Sequence, residues 1–344
     1  MKAVFFERHG KPDTLLYGDR PDPSAGPGEV VVRVEAAAMN RLDLFVLNGI
    51  PGVPPSLPHI PGADGVGRIE SVGAGVTDVA PGDRVVMQPG LGCGRCEFCL
   101  SGDLPLCVDF RILGEHLSGT FAERIAVPRR NVFPAPPKLS LEKAAAFPLA
   151  ALTAWRMLVT RAALRPGESV LIHGVGGGVS TFALQIARLS GASLVIVTSS
   201  SEEKRRKAEA LGADVVLDYT QVDVGKKVRE ITKKRGVDVV VDSVGQATWR
   251  HSLAAAAKRG RIVTCGATSG PNPEEEIRLI FWKQLTILGS TMGTDHEFGA
   301  MLRDVAAGRL DPVVDEVFPL AEAKRGYERL QSGEGFGKIV FRVD

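Results

Sequence analysis

Val170-Leu171-Ile172-His173-Gly174-Val175-Gly176-Gly177-Gly178-Val179-Ser180 runs from an apolar strand through a glycine cluster towards a helix. Just beyond, Val179, Phe182, Ala183, Ile186, Ala187 and Leu189 recur at helical spacing. Glycines let a backbone approach a pyrophosphate, and the first turn of a helix offers free N–H groups and a positive dipole end. The strict G-x-G-x-x-G pattern is not met, because counting from Gly174 its last place falls on Val179. The surroundings carry the reading instead. Strand candidates at 169–173, 193–198, 214–217, 237–242, 261–265 and 285–289 alternate with helical segments. Right-handed crossovers make such strands run in one direction, which predicts an α/β Rossmann fold: a doubly wound parallel sheet. Gly176, Gly177, Gly178 and Val179 are the expected contacts to a dinucleotide.

Coenzyme choice is read at the end of the second strand, where a carboxylate would accept from an NAD ribose hydroxyl. The chain there reads Val197-Thr198-Ser199-Ser200-Ser201-Glu202-Glu203-Lys204-Arg205, with no acidic residue directly at the strand end. Ser199, Ser200 and Lys204, with Arg205 nearby, suit a 2′-phosphate needing charge-assisted partners, so NADPH is expected over NADH. Ser201 also fits as the cap of a helix starting at Glu202, and capping is compatible with phosphate binding.

Upstream, the first 150 residues or so are rich in Gly and Pro, and short β-branched runs at 29–35 and 83–87 follow the turns Pro27-Gly28-Glu29 and Pro81-Gly82-Asp83. This pattern predicts an irregular, mostly β domain. Downstream, Asp311-Pro312-Val313-Val314 and a last strand at 338–343 have the character of a return to it. The expected division is 1–152, 153–292 and 293–344, the last rejoining the first. A chain of 344 residues exceeds what one core usually supports.

Four of the five cysteines, Cys93, Cys96, Cys99 and Cys107, fall at 92–108. Thiolates so spaced close on one zinc at about 2.3 Å each, and four of them leave no open position for substrate. Two disulfides are the competing arrangement, but the repeated two-residue gaps favour a shared ion. Cys265, after Ile262-Val263-Thr264, reads as a buried small side chain. With 42 basic against 40 acidic residues, charge makes no case for nucleic acid or a membrane surface. Met1-Lys2-Ala3-Val4-Phe5-Phe6-Glu7-Arg8 turns charged too soon for a signal peptide, and no run approaches the ~20 apolar residues of a membrane span. A cytoplasmic protein is expected.

In order along the chain, Pro61-Gly62-Ala63-Asp64-Gly65-Val66-Gly67, Val72-Gly73-Ala74-Gly75-Val76, Pro81-Gly82-Asp83-Arg84-Val85, the cysteine lobe, Leu152-Thr153-Ala154-Trp155 and the glycine turn resemble the medium-chain dehydrogenase/reductase superfamily of zinc alcohol dehydrogenases and NADPH quinone reductases. The likeness spans essentially the whole chain. It implies a GroES-like catalytic domain for the mostly β part, a structural zinc in the lobe, and a homodimer or homotetramer in which a strand such as 285–289 extends the sheet across subunits. It also implies coenzyme contacts at Thr153, at Ser243, Gly266, Ala267, Gly289 and Ser290 after successive strands, and at Lys338. Phe281 and Trp282 are candidates to wall a substrate cleft or to pack in a core or interface.

The resemblance breaks at the catalytic zinc. Where zinc alcohol dehydrogenases have a Cys, a His and a Cys or acidic ligand, this sequence has Asn40, Ala63 and Leu149, none a usual zinc ligand. The catalytic zinc is expected to be absent, and a site rebuilt from Asp43, His59 and Asp64 is disfavoured. The Asn40-x-x-Asp43 spacing is similar to that of zinc-independent quinone reductases. It assigns Asn40 to hydrogen bonding of substrate or ribose, and Asp43 to orienting the site or relaying a proton. Competing structural roles are a helix cap for Asn40 and pairing with Arg41 or Arg68 for Asp43. Without a Lewis acid, substrates whose charge spreads by itself are favoured, which means quinones and enones, with aldehydes a harder case. The expected activity is NADPH-dependent reduction of such acceptors. Alternatives are an alcohol dehydrogenase with a substituted site, and a non-catalytic NADPH-binding structural or regulatory protein.

Overall fold

A computed structural model describes residues 1–52 and 56–343. The chain divides into two compact units, Met1–Ala150 with Gly293–Asp344, and Ala151–Met292. Among the described residues no helix is long and apolar enough to cross a membrane.

The first unit begins its main sheet with β1 (Glu29–Ala38), followed by α1 (Arg41–Asn48), β2 (Asp64–Val72), β3 (Arg84–Met87), β4 (Arg124–Pro128) and β5 (Val132–Pro134). The strands are short and turn-bounded, as their Pro-Gly punctuation requires.

The second unit starts with β6 (Ser169–Ile172), α2 (Gly178–Leu189), β7 (Leu194–Thr198), α3 (Glu202–Ala210), β8 (Val215–Leu217) and α4 (Val224–Ile231). It continues with β9 (Val237–Asp242), α5 (Trp249–Ala255), β10 (Ala256–Thr264), α6 (Ile277–Lys283) and β11 (Thr286–Gly289). The strands are parallel throughout, in the order β8-β7-β6-β9-β10-β11. The sheet is the doubly wound Rossmann arrangement, with the order reversing beside β6. β6, β7 and β9 are almost wholly buried, which explains their continuous Val/Ile/Leu runs. β10 starts earlier than the expected 261, directly after α5. A register shift opposite Val237–Val239 and a left-handed Arg259 at φ 60° absorb the extra residues. Cys265 is partly rather than fully buried.

The chain then returns to the first unit as β12 (Val314–Pro319), α7 (Ala323–Ser332) and β13 (Lys338–Arg342). There the order is β12-β13-β1-β2-β3-β5, with β4 also paired to β1. The core under this sheet is aromatic. Phe121 meets Phe341 edge to face with centroids 5.0 Å apart, and Tyr327 is fully buried beside them. A Cβ on Gly326 would lie 2.6 Å from Phe341, so glycine is what lets α7 sit against β13.

Candidate active site and metal lobe

β13 and β2 both run antiparallel to β1, so the start of β13, the end of β1 and the start of β2 meet at one edge of the sheet. Lys338, Asn40 and Asp64 stand at those three positions. All are buried: Asp64 is 0%, Lys338 3% and Asn40 7% exposed. Asp64 Oδ2 accepts from Asn40 Nδ2 at 2.9 Å and from Lys338 Nζ at 2.8 Å, while Oδ1 accepts the Leu149 backbone N–H at 2.7 Å. Lys338 Nζ also donates to Asn40 Oδ1. The ammonium is therefore clasped by the carboxylate and the amide of its two neighbours. Having used one amide hydrogen on Asp64, Asn40 keeps a second, and Lys338 keeps one N–H beyond its two bonds.

Asp43 sits behind this cluster, 1% exposed. Its Oδ2 accepts from the Asn40 backbone N–H at 2.6 Å and its Oδ1 from the Gly62 N–H at 3.0 Å, tying the start of α1 to the Pro61-Gly62 turn. Gly62 holds φ 101° with Phe121 2.4 Å from where a Cβ would be, so that turn admits no other residue. Burial pushes the Asp43 carboxyl up to about 7, against the opposing pull of the Asn40 N–H and the Lys338 charge. Asp43 pairs with neither Arg41 nor Arg68; Arg68 bonds Glu35 at 3.1 Å. His59 lies elsewhere, packed on Phe6 with Nε2 2.9 Å from the Gly114 carbonyl. Sequence reasoning did not single out Asp64 as the centre of the cluster, and it expected Lys338 as a coenzyme contact; the structure bonds that ammonium to Asn40 and Asp64. The available signal was a lone lysine opening the otherwise apolar strand Lys338-Ile339-Val340-Phe341.

Among the described residues, the acidic, His and Cys side chains grouped closely enough to hold a metal are Cys93, Cys96, Cys99 and Cys107, whose sulfurs all lie within 4.8 Å of one another. All four are free thiols. Backbone amides already point at them: Cys93 N–H and Asp109 N–H donate to Cys107 Sγ at 3.2 and 3.3 Å. The amides of Cys99 and Val108 bring Cys96 down to about 6, whereas burial pushes Cys99 up to about 12, so without an ion the lobe favours a thiolate at Cys96 and not at Cys99. Gly92 has Cys99 Sγ 2.8 Å from its would-be Cβ, so the loop closes tightly. This donor set fits one tetrahedral zinc with no open position.

In the second unit the glycine turn opens α2 at the end of β6, and Gly176 holds φ 131°. The turn is braced from inside: Gly174 N–H donates to Thr198 Oγ1 at 3.0 Å and Gly176 N–H to Ser180 Oγ at 3.2 Å. The N–H groups of Gly178 and Val179, in the first helical turn, find no acceptor among the described residues. Ser199 is buried and Ser200 exposed, with its hydroxyl accepting from Tyr219 at 3.0 Å. Ser201 caps α3 through the Lys204 N–H. Arg205 is spent on Asp218 at 2.8 Å and on the Ser199 and Ser200 carbonyls. Ser243 and Gly266 follow β9 and β10, and Gly289 ends β11 just before Ser290, all at the same sheet edge, with Ala267 exposed beyond Gly266. Thr153 is buried in the helix Pro148–Trp155. Phe281 and Trp282 are 63% and 73% exposed and fill no core.

A buried Asp242–Ser252–His173 network underlies the Ser243 turn. Asp242 Oδ1 accepts the N–H groups of Val244 and Gly245, each at 3.0 Å, and Ser252 donates to Oδ2 at 2.6 Å. His173 Nε2 lies 3.0 Å from Ser252 Oγ, and burial brings the imidazole down to about 4. The serine proton is held by the aspartate rather than the histidine, so this triad braces a turn and is no nucleophile.

The fold and both sites define a two-part nicotinamide oxidoreductase, and the matches to known proteins agree. Residues 26–137 match the alcohol dehydrogenase GroES-like domain and residues 178–307 the zinc-binding dehydrogenase family. The chain is 35% identical to the acryloyl-coenzyme A reductase of Metallosphaera sedula, with 99% of each covered. It is 32% identical to a quinone oxidoreductase of Pseudomonas aeruginosa, with 98% of each covered. A solved NAD-dependent alcohol dehydrogenase superposes with a TM-score of 0.96 at 47% identity over all of both chains. The chain belongs to the medium-chain dehydrogenase/reductase superfamily.

Proposed function

We propose that this protein is a cytoplasmic NADPH-dependent reductase of quinones, enones or aldehydes that works without a catalytic zinc. One observation carries the reading. At the sheet edge where the family resemblance puts the catalytic metal, Lys338 holds a fixed positive charge between Asn40 Oδ1 and Asp64 Oδ2, and Leu149 contributes only a backbone N–H. An ammonium so held and a zinc ion would repel, and Asp64 has both oxygens occupied.

Bound NADPH supplies the hydride. The remaining amide hydrogen of Asn40 donates to the substrate oxygen as negative charge builds there. Lys338, ion-paired with Asp64, lends that oxygen its field from a preorganised position. Asp43 fixes Asn40 by its backbone, so the donor does not have to be reoriented during the reaction. Conjugated acceptors spread the charge and ask least of such a site, and the similarity to an acryloyl-coenzyme A reductase supports an activated alkene as substrate. Solvent supplies the proton that completes the reduction.

Ser199, Ser200 and Lys204 support NADPH, with the first-turn amides of Gly178 and Val179 for the pyrophosphate. The NAD dependence of the solved relative favours NADH as a second reading. The exposed edge strand β11 supports a homodimer formed by pairing edges. The test is a zinc count together with nicotinamide oxidation over quinones, enones and aldehydes, using NADPH and NADH in parallel. One zinc per chain, enone or quinone turnover and a higher kcat/KM with NADPH are expected. Two zincs per chain would overturn the metal-free site, and a higher kcat/KM with NADH the coenzyme choice.

A further inference from the structure

The parallel sheet of the second unit has two ends, and the glycine turn uses the C-terminal one. At the other end, residues that precede β9 and β11 and the first residues of β10 form a cavity of about 430 Å³ lined by Arg229, Lys234, Arg235, Lys258, Trp282 and Lys283, together with Ala256 and Ala257. We propose that this cavity binds a polyphosphate anion at a site separate from the dinucleotide edge. Among the described residues no carboxylate lines it.

Two of the five cations are already committed. Arg235 is paired with Asp238, whose oxygens it reaches at 2.5 and 3.1 Å. Lys283 is buried and donates to the carbonyls of Leu253, Ala254 and Ala256 at 2.8, 2.9 and 2.8 Å, so it forms a charged floor with no donor left over. Arg229, Lys234 and Lys258 have no carboxylate partner among the described residues, in a chain whose arginines are mostly ion-paired. Like charge is concentrated there: burial, and then the Arg229 guanidinium, bring Lys283 down to about 8. Lys234 is held at φ 69°, a conformation that suits glycine, yet carries a long cationic side chain into the cavity lining.

Neighbouring cations without counter-charges repel one another, and a ligand with several adjacent negative charges relieves all three at once. A phosphate chain matches their number, and a space of this volume also admits a nucleoside. The exposed indole of Trp282 at the lining offers a face for a base, so the shared chemistry is a polyphosphate, free or attached to a nucleoside.

The test is calorimetric titration of the whole protein, saturated with NADPH to occupy the dinucleotide edge, using tripolyphosphate, ATP and adenosine in turn. Saturable tripolyphosphate binding is expected, weakened at least about tenfold by the triple substitution Arg229→Gln, Lys234→Gln, Lys258→Gln, with NADPH affinity unchanged. ATP binding more tightly than tripolyphosphate, with the gain lost in Trp282→Ala, identifies a nucleotide; equal affinity identifies the free polyphosphate. No saturable binding, equal binding by the triple variant, or adenosine binding as well as ATP would overturn the site.

Discussion

The cysteine lobe and the Asn40–Asp64–Lys338 cluster belong to the same unit, and they handle positive charge in opposite ways. The lobe gathers four thiols around a space that fits an ion the chain does not encode, with three of the sulfur residues only partly buried. The cluster encodes its cation as Lys338 and buries it with its counter-charge. A metal ligand set depends on what occupies it, whereas a clasped ammonium is present whenever the chain is folded. On the proposed reading, the lobe would hold a structural ion while the clasped ammonium stands where a catalytic one would otherwise be needed.

The largest effect belongs to the lobe. Structural zinc contributes about 10–16 kcal/mol to small zinc-binding peptides, and even a fraction of that exceeds any single side-chain contact here. Cys99→Ser is expected to abolish zinc binding, measured by elemental analysis, and to lower the melting temperature steeply while leaving NADPH affinity intact. Retention of a full zinc would show that the thiols are not the ligands. Next comes the cluster. Lys338→Met strands Asp64 as a buried, uncompensated carboxylate, which costs about 3–5 kcal/mol. Chemical denaturation reads this directly, and the loss should come with no change in zinc content. A variant as stable as the parent would show the pair to be dispensable.

The two regions also differ in how far the sequence reveals them. Four cysteines at close spacing announce a metal site because the ligands are adjacent along the chain. The glycine turn and the strands at 169–173 and 237–242 were legible for a similar reason: a buried parallel strand must be apolar throughout, and its period shows within a few residues. The cluster joins residues 24 and 298 positions apart, and only strand pairing brings them together. Asn40 and Asp43 could be singled out by their spacing, but Asp64 beside glycines has the look of a turn residue. Lys338 gives no local hint of its partner, since the antiparallel register of β13 on β1 is decided by packing around Phe121 and Phe341. The early start of β10 was hidden likewise, because its first residues are Ala256 and Ala257, equally at home in a helix.

Asp43 sharpens the comparison through pH. Its folded pKa, about 7, is raised above the ordinary carboxyl value, so folding favours the protonated form. The stability this contributes is fully present below about pH 4 and is lost as pH rises through 7, amounting to at most about 4 kcal/mol. Exposed carboxylates such as Asp19, whose pKa Lys2 lowers, act in the opposite sense. The informative quantity is therefore the difference between the parent and Asp43→Asn in urea midpoint across pH 4–8. The parent should lose stability relative to the variant as pH rises. A constant difference would mean that Asp43 stays ionised throughout, held by the two backbone amides.

Asn40 carries the smallest expected free-energy change and the most specific readout. Removing one preorganised donor from an oxyanion site costs about 3 kcal/mol in the transition state, or roughly a hundredfold in kcat. Asn40→Ala should lower kcat for enones and quinones by about that factor with KM little changed, because the donor acts on charge that exists only once hydride has begun to move. The same substitution also removes one acceptor from Lys338, so a general loosening of the cluster has to be told apart from loss of a donor. Asn40→Asp keeps an acceptor for Lys338 and loses the N–H offered to the substrate, but it also sets a second carboxylate against Asp64, so its urea midpoint is read beside its turnover. If Asn40→Asp is as slow as Asn40→Ala while its urea midpoint, zinc content and NADPH affinity hold, the donor is what catalysis lost. If Asn40→Asp restores turnover, Asn40 serves only to position Lys338, and the ammonium alone carries the electrostatic work that a metal does elsewhere in the superfamily.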